Sequence, residues 1–230
     1  MKKLFFIWIV SLICFFVVKP LSLIAFSDVL FEINTSIGLM SVCRPNQEEM
    51  SKTASFAKKI FVEAFTTTYT DYYRRSGAQE PIEKWLRLGS GLTLQSWLEQ
   101  VFDDEYEEYV AGSKCFLYLC DSEGILVGWL SHSPISEKGE IYLSQCSLEA
   151  GSRNHGVATA AFDKVFKKKF IKQIFPEVKE IKLITRKINK IAYHLYTKIG
   201  FVVDETIDPV IYGDSYDDRY IGFRLTIQPI

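Results

Sequence analysis

The sequence has few of the histidine and cysteine ligands that build zinc-type metal sites. Its three histidines, His132, His155 and His194, are scattered, and the five cysteines, Cys14, Cys43, Cys115, Cys120 and Cys146, form no CxxC pair. The histidines do not flank the cysteines, so no metal site is expected. The spacing of the four cysteines beyond the first requires no disulfide. An excess of charge is missing too. The formal net charge is -1, which argues against a nucleic-acid binder with its basic face. Internal repeats and low-complexity linkers are absent. The glycine-containing stretch near residue 156 lacks the Gly-Lys-Ser/Thr of a Walker A loop and the spacing of a dinucleotide fingerprint.

What is present is an ordinary globular composition, with 48% hydrophobic residues in 230. That length fits one domain with an appendage, or two small domains. Local charge is uneven. "FKKKFIKQ" is basic, and "DDEYEEY" and "YGDSYDD" are acidic. Each run taken alone reads as solvated surface. Cys115 and Cys120 lie in an apolar run and read as buried thiols.

The first residues read as a leader. "MKKLFFIWIVSLICFFVV" sets Lys2 and Lys3 before an uncharged run from Leu4 to Val18. That run suits a signal-peptide core and is short for a span, which needs about 20 apolar residues. Ala25-Phe26-Ser27 supplies small residues for cleavage after Ser27. The competing reading is an uncleaved anchor, with Lys19 and Pro20 near its end. The expected organisation is residues 1–27 as signal peptide or membrane anchor, 28–36 as linker, and 37–230 as the folded domain.

Beyond the leader, "NTSIGLMSVCRP" predicts a short strand ending at Pro45. "NQEEMSKTASFAKKIFVEAF" predicts a helix, with Asn46 as cap, Glu49 three residues on, and an apolar stripe through Ala57, Phe61, Ala64 and Phe65. "EKWLRLGSGLTLQSWLEQVFDD" predicts two helical pieces broken at Gly89 and Gly91. The period then changes. "SKCFLYLCDSEGILVGWLSHSP" predicts a hairpin and "GEIYLSQCSL" a third strand. A helix over 156–170 follows, then the strand "VKEIKLITR", then the helix "NKIAYHLYTKIG" with Gly200 in the C-terminal cap position. "FVVDET" and "RYIGFRLTI" predict two final strands. The order β-α-α-β-β-β-α-β-α-β-β gives a mixed α/β sheet with helices on both faces.

The stretch "GSRNHGVATAAFDKVF", residues 151–166, sits between a strand and a helix. A helix start presents free backbone N–H groups and the positive end of its dipole, which suits an anion. Gly156 carries no Cβ to obstruct a phosphate, Ala158 keeps the approach open, and Arg153 can add a charged contact. Read alone, the stretch fits a phosphate grip or a plain glycine turn.

Two segments together resemble the GNAT superfamily of N-acetyltransferases. Arg153-Asn154-His155-Gly156-Val157-Ala158 fits that family's arginine or glutamine, two residues, glycine, one residue, then glycine or alanine. Asn189, Ala192, Leu195-Tyr196 and Gly200-Phe201 fit its later helix. The resemblance covers residues 37–227 and agrees with the element order. It implies a GNAT-like fold, mostly antiparallel, and acetyl-CoA as cosubstrate. It places the pyrophosphate on the backbone of Arg153, Asn154, His155, Gly156, Val157 and Ala158. The pantetheine arm would lie along a splayed strand at Cys146 and Leu148, with Asn189 touching the same arm. Tyr196 matches the general acid for the departing thiolate, and Glu140 is the candidate general base. Tyr142 shares the strand face of Glu140. No acyl-enzyme is needed, so Cys146 is not read as a nucleophile. This sequence departs from the family where Asn154 stands in place of a frequent glycine and where the turn lacks a proline.

The implied reaction is acetyl transfer to a primary amine by direct attack in a ternary complex. The competing reading is a catalytically inactive exported module that uses the fold to bind a partner. The acceptor is expected to be a small-molecule or protein amine. Tyr69, Tyr72, Tyr73, Trp85 and Trp97 with the acidic "DDEYEEY" suggest a cationic one. No nucleic acid is expected, membrane contact would come only through the N-terminal segment, and a homodimer is compatible with the sequence. The leader implies export or anchoring, whereas acetyl-CoA is cytosolic. Delivery to another cell's cytosol, an unusual anchored topology, or a cytoplasmic product started at Met40 would each reconcile the two.

Overall fold

A computed structural model describes residues 26–166, 171, 175–207 and 219–227. Its first strands are β1, Val29–Thr35, and β2, Gly38–Cys43. Three helices follow: α1, Gln47–Ser76, the short α2, Ile82–Trp85, and α3, Leu94–Val110. Next come β3, Cys115–Cys120, β4, Leu126–His132, and β5, Glu140–Leu148. A 3-10 turn over Ala150–Ser152 leads to α4, Val157–Phe166. The order then runs β6, Glu180–Arg186, α5, Lys190–Ile199, β7, Val202–Val203, and β8, Tyr220–Thr226.

The eight strands form one sheet in the order β1-β2-β3-β4-β5-β6-β8-β7. Only β5 and β6 pair in parallel; the other neighbours are antiparallel. This is the expected mixed, mostly antiparallel α/β sheet. Helices cover both faces, and each face has its own core. One core joins Met40, Leu117, Leu130, Ile141 and Leu183 to Val157, Phe162 and Val165 of α4. The other joins Phe116, Tyr118 and Trp129 to Met50 and Phe61 of α1 and Leu98 and Phe102 of α3. Trp129 fixes that second layer by donating its indole N–H to the Ala57 carbonyl at 3.0 Å.

α1 starts where the sequence predicts. The Asn46 side chain accepts from Glu49 N, and the Glu49 carboxylate accepts from Asn46 N, forming a reciprocal cap. The helix runs past Phe65 to Ser76, because Tyr69 turns inward on the same face as Phe61 and Phe65. Gly77 stops it in the left-handed conformation. The expected helix break falls between Trp85 and Leu94, the region of Gly89 and Gly91.

The expected linker over 28–36 is instead mainly strand. β1 pairs with β2 from Val29↔Cys43 to Thr35↔Gly38, and Ile33 enters the core. Gly38, at φ 122°, opens β2 directly after the turn that joins them. The final "FVVDET" supplies only the two-residue β7. Apart from Phe26 and Ser27, the predicted leader lies outside the described residues, as do positions 167–170 of the predicted helix 156–170. Among the described residues no helix is long and apolar enough to cross a membrane.

Candidate functional site

The site begins with a mismatch in the sheet. β5 pairs with β6 from Glu140↔Glu180 to Leu143↔Leu183 and goes no further. On its other side β5 continues against β4, with His132↔Leu143 followed by Ser131↔Gln145. One extra residue is therefore accommodated on β5 beside Ser144, which is a β-bulge. A bulge bends its strand and increases the local twist. Here it lies where β5 leaves β6. From Ser144 to Leu148 the edge of β5 facing β6 is unpaired, and β6 continues to Arg186 against β8 alone. The two strands part into a cleft with free backbone groups on its walls.

Cys146 and Leu148 pack toward the α4 side of this cleft. They line a narrow apolar space with Ala158, Ala161 and Phe162 of α4. Burial pushes the Cys146 thiol up to about 12. It stays protonated at neutral pH. Gly128 of β4 lies against the same half of β5; a Cβ there would come within 2.7 Å of the Ser147 carbonyl oxygen.

The 3-10 turn carries β5 into α4. The Arg153 Nε donates to the Leu148 carbonyl at 2.9 Å, and its Nη2 stands 3.7 Å from Glu63 of α1. The side chain thus braces the loop. Asn154 adopts φ 65°, the left-handed conformation that Asn tolerates better than most residues. That lets Asn154 occupy a position where the resemblance leads glycine to be expected. Gly156, at φ 72°, would meet nothing within 4 Å with an added Cβ, so the space above it is open. Ala160 N donates to Gly156 O at 2.8 Å, the first bond of the α4 ladder. The N–H groups of Val157, Ala158 and Thr159 precede that bond and have no partner within the helix. The His155 carbonyl accepts from Ser36 Oγ at 2.8 Å, tying the loop to the β1–β2 turn.

α5 closes the other side. Asn189 caps it by accepting from Ala192 N at 3.0 Å, and the same oxygen accepts from the Tyr72 hydroxyl at 3.3 Å. The Asn189 amide N–H groups have no partner among the described residues. Tyr196 packs its ring among Phe162, Phe201 and Phe223, with centroids 6.0, 5.7 and 5.6 Å away. Burial raises its phenol well above the usual range, and the neighbouring Cys146 adds to the effect. Tyr196 is thus a neutral O–H close to the splayed half of β5. No hydrogen bond holds that hydroxyl among the described residues.

Glu140 is not brought to this group. It begins β5 in the paired half and binds Lys182 at 2.8 Å. Six residues of strand, roughly 20 Å, separate it from Cys146. Tyr142 is buried in the same paired half, its backbone bonded to Ser133.

The expected acidic aromatic pocket separates into two parts. Within "DDEYEEY", Asp103 pairs with Lys58, and Glu105 is buried against Lys114 and accepts from Ser131 Oγ at 2.6 Å. Desolvation raises the Glu105 carboxyl above its ordinary range despite the lysine. The second acidic run, 212–218, lies outside the described residues. Tyr69 and Trp97 instead enclose a cation that the sequence analysis did not single out. The Arg186 guanidinium lies 5.1 Å from the Tyr69 ring centroid, 5.8 Å from Trp97 and 5.4 Å from Tyr220. A charged residue ending the apolar run of β6 was the available signal.

Buried polar atoms without a hydrogen bond are rare in folded proteins and call for an explanation. Among the described residues there are four: Ser147 Oγ, Arg153 Nη2, Arg186 Nε and Arg224 Nε. Ser147 lies on the splayed part of β5, Arg153 follows it, and Arg186 ends β6. Three of the four therefore border the cleft, as expected of a place that receives a polar ligand.

The sequence profile described as "Acetyltransferase (GNAT) family" matches residues 64–201. No curated protein sequence matches the chain. Several solved structures share the fold. The PaiA N-acetyltransferase of Thermoplasma acidophilum, in complex with coenzyme A, is 17% identical over 81% of this chain and 98% of its own, with a TM-score of 0.51. Mycobacterium smegmatis RimJ, in complex with CoA-disulfide, is 12% identical over 85% and 86%, with a TM-score of 0.53. Spermidine N-acetyltransferase of Vibrio cholerae, in complex with CoA and spermine, is 13% identical over 82% and 95%, with a TM-score of 0.51. At these identities the likeness is one of fold.

Proposed function

Because the chain belongs to the acetyltransferase (GNAT) family, we propose that it transfers an acetyl group from acetyl-CoA to a primary amine by direct attack in a ternary complex. The observation that carries the reading is the bulged, parted β5 with Tyr196 beside it. Acetyl-CoA supplies the activated acetyl group as a thioester. The N–H groups at the start of α4, with the open Gly156, hold its pyrophosphate. The unpaired edge of Ser144–Leu148 offers backbone donors and acceptors to the pantetheine amides, much as a missing strand would. The amide N–H groups of Asn189, without partners among the described residues, are available to donate to the same arm.

The amine lone pair forms the C–N bond as the C–S bond breaks. Tyr196 is suited to give the departing sulfur its proton, since its phenol remains protonated across the working pH range. It is reprotonated from solvent. With Glu140 held by Lys182 in the paired half, the proton of the attacking amine leaves to solvent. Turnover should therefore rise with pH along the titration of the acceptor amine.

Isothermal titration of the full chain with acetyl-CoA, followed by an amine-dependent assay of thiol release, tests the reading. Binding with amine-dependent release is expected. Absence of binding at millimolar acetyl-CoA would overturn it.

A further inference from the structure

Arg186 is placed where the reaction described above does not use it. The residue is 6% exposed, and its Nε has no hydrogen bond among the described residues. Among the described residues no carboxylate pairs with its guanidinium. Arg224 on neighbouring β8 shows the usual arrangement, bridging to Asp204 and Glu180. The rings of Tyr69, Trp97 and Tyr220 attract a cation through their faces, but they neither neutralise its charge nor accept its N–H groups in the manner of an oxygen. A buried cation without a counterion is costly, and an incoming anion relieves that cost.

The position also selects which ligand would supply the anion. Cys146, Leu148 and Tyr196 belong to the α4–α5 side of the sheet, where the cosubstrate is placed. Arg186 reaches Tyr69 of α1 and Trp97 of α3, on the opposite side. Ser147 alternates with Cys146 and Leu148, so it faces that opposite side too, and its buried Oγ lacks a partner among the described residues. If strand pairing continued past the bulge, Ser147 would stand close to Arg186 across the cleft. A guanidinium Nε and a hydroxyl, neither hydrogen-bonded among the described residues, therefore border the side of the opening away from the cosubstrate, the side left to the acceptor. A planar guanidinium matches a carboxylate with two parallel N–H···O bonds.

We propose that the acceptor carries a carboxylate beside its reacting amine, and that Arg186 holds that carboxylate while Ser147 donates to it. The proposal rests on the acetyl-transfer reading for the amine and replaces the expectation of a purely cationic acceptor. Arg186 acts here as a specificity residue and takes no part in the chemistry.

The test uses matched pairs, amino acids and short peptides against their carboxamides, with spermidine as a cationic control. Binding is followed in the full chain without acetyl-CoA, through tryptophan emission, since Trp97 lies beside the guanidinium. Turnover is followed by thiol release. Wild type should favour carboxylates over carboxamides by about tenfold or more, the scale of a charged hydrogen bond. Arg186→Gln should remove that preference and leave the KM for acetyl-CoA unchanged, and Arg186→Lys should restore it in part. Equal use of carboxylates and carboxamides, or a preference for spermidine, would overturn the proposal. So would an Arg186→Gln effect confined to the acetyl-CoA KM, which would assign the anion to the cosubstrate phosphates. The wild-type panel decides the matter even where a variant does not fold. Selective carboxylate binding without transfer would sink the acetyl-transfer reading and keep the Arg186 site. Transfer without selectivity would do the reverse.

Discussion

Replacing Tyr196 by Phe separates the chemistry of the site from its architecture. The ring contributes to the core through Phe162, Phe201 and Phe223 at 5.6–6.0 Å, and Phe keeps all three contacts. The hydroxyl makes no hydrogen bond among the described residues, so its removal leaves no partner stranded. Had it been bonded, deletion would cost about 1 kcal/mol. The melting temperature should accordingly stay within a few degrees of wild type. The loss falls on the leaving sulfur, which no longer receives a proton from a positioned acid. General acid catalysis contributes about 10²–10⁴-fold, equivalent to roughly 3–5 kcal/mol of barrier. The assay is steady-state thiol release with acetyl-CoA and a good acceptor, alongside a thermal melt and an acetyl-CoA titration. A hundredfold or greater fall in kcat, with nearly constant acetyl-CoA affinity and melting temperature, is expected. Because burial holds the phenol above its ordinary range, wild type should show no falling limb from this residue up to pH 10. A kcat within threefold of wild type at every pH would refute the assignment. A large fall in melting temperature would refute the account of the packing.

Three further perturbations act on the frame around the cleft. Gly128→Ala would press a methyl to 2.7 Å from the Ser147 carbonyl, so β4 and β5 must shift; a loss of about 1–3 kcal/mol in stability and weaker acetyl-CoA binding are expected by denaturant melt and titration. His132 is buried and neutral, held down to about 4 from 6.5 by desolvation. The unfolded chain binds the extra proton, so stability is intact above pH 6.5 and falls as pH drops from 6.5 towards 4, by about 3 kcal/mol in all. His132→Phe should flatten that part of the pH–stability curve. A chain begun at Asp28 loses the Phe26 ring, which packs edge-on to Tyr118 at 5.5 Å, and the Ser27 N–H donation to Glu49 at 2.7 Å. It should melt several degrees lower than one begun at Phe26, at a cost of about 2 kcal/mol. One begun at Met40 also loses β1 and should fare worse.

The sequence made the loop and the last helix legible because their signals are local. A cap at Asn189, a stop at Gly200 and the spacing from Arg153 to Ala158 depend on backbone rules that operate within a few residues. The reach of α1 was not local. Tyr69 packs against Trp97 of α3 and Arg186 of β6, contacts that the local pattern of the helix does not announce. β1 was missed because it lies at the sheet edge, where just Ile33 is fully buried and the alternation is weak. Glu140 had a suitable residue type on a suitable strand, but strand position alone does not reveal Lys182 on its neighbour. The aromatic and acidic residues near the N-terminus looked like one pocket because they are close in sequence. Trp97 and Glu105 both lie on α3, yet one meets Arg186 at the end of β6 and the other meets Lys114 at the start of β3. The bulge beside Ser144 is a register effect between two strands, and no single-strand pattern contains it.

The short β5–β6 register has a mechanical consequence. Strands β1–β5 and β6–β8 form two half-sheets joined by a seam of four residue pairs, Glu140 to Leu143 against Glu180 to Leu183. A ligand lodged beyond the seam acts as a strut, carrying load between the halves that backbone pairing does not carry there. Occupancy should therefore reinforce the whole molecule, by mass action, and not the cleft alone. Amide exchange would register this as slower opening on both sides of the seam, including strands that never touch the ligand. In such a scaffold the cosubstrate is also, for as long as it stays, a structural member.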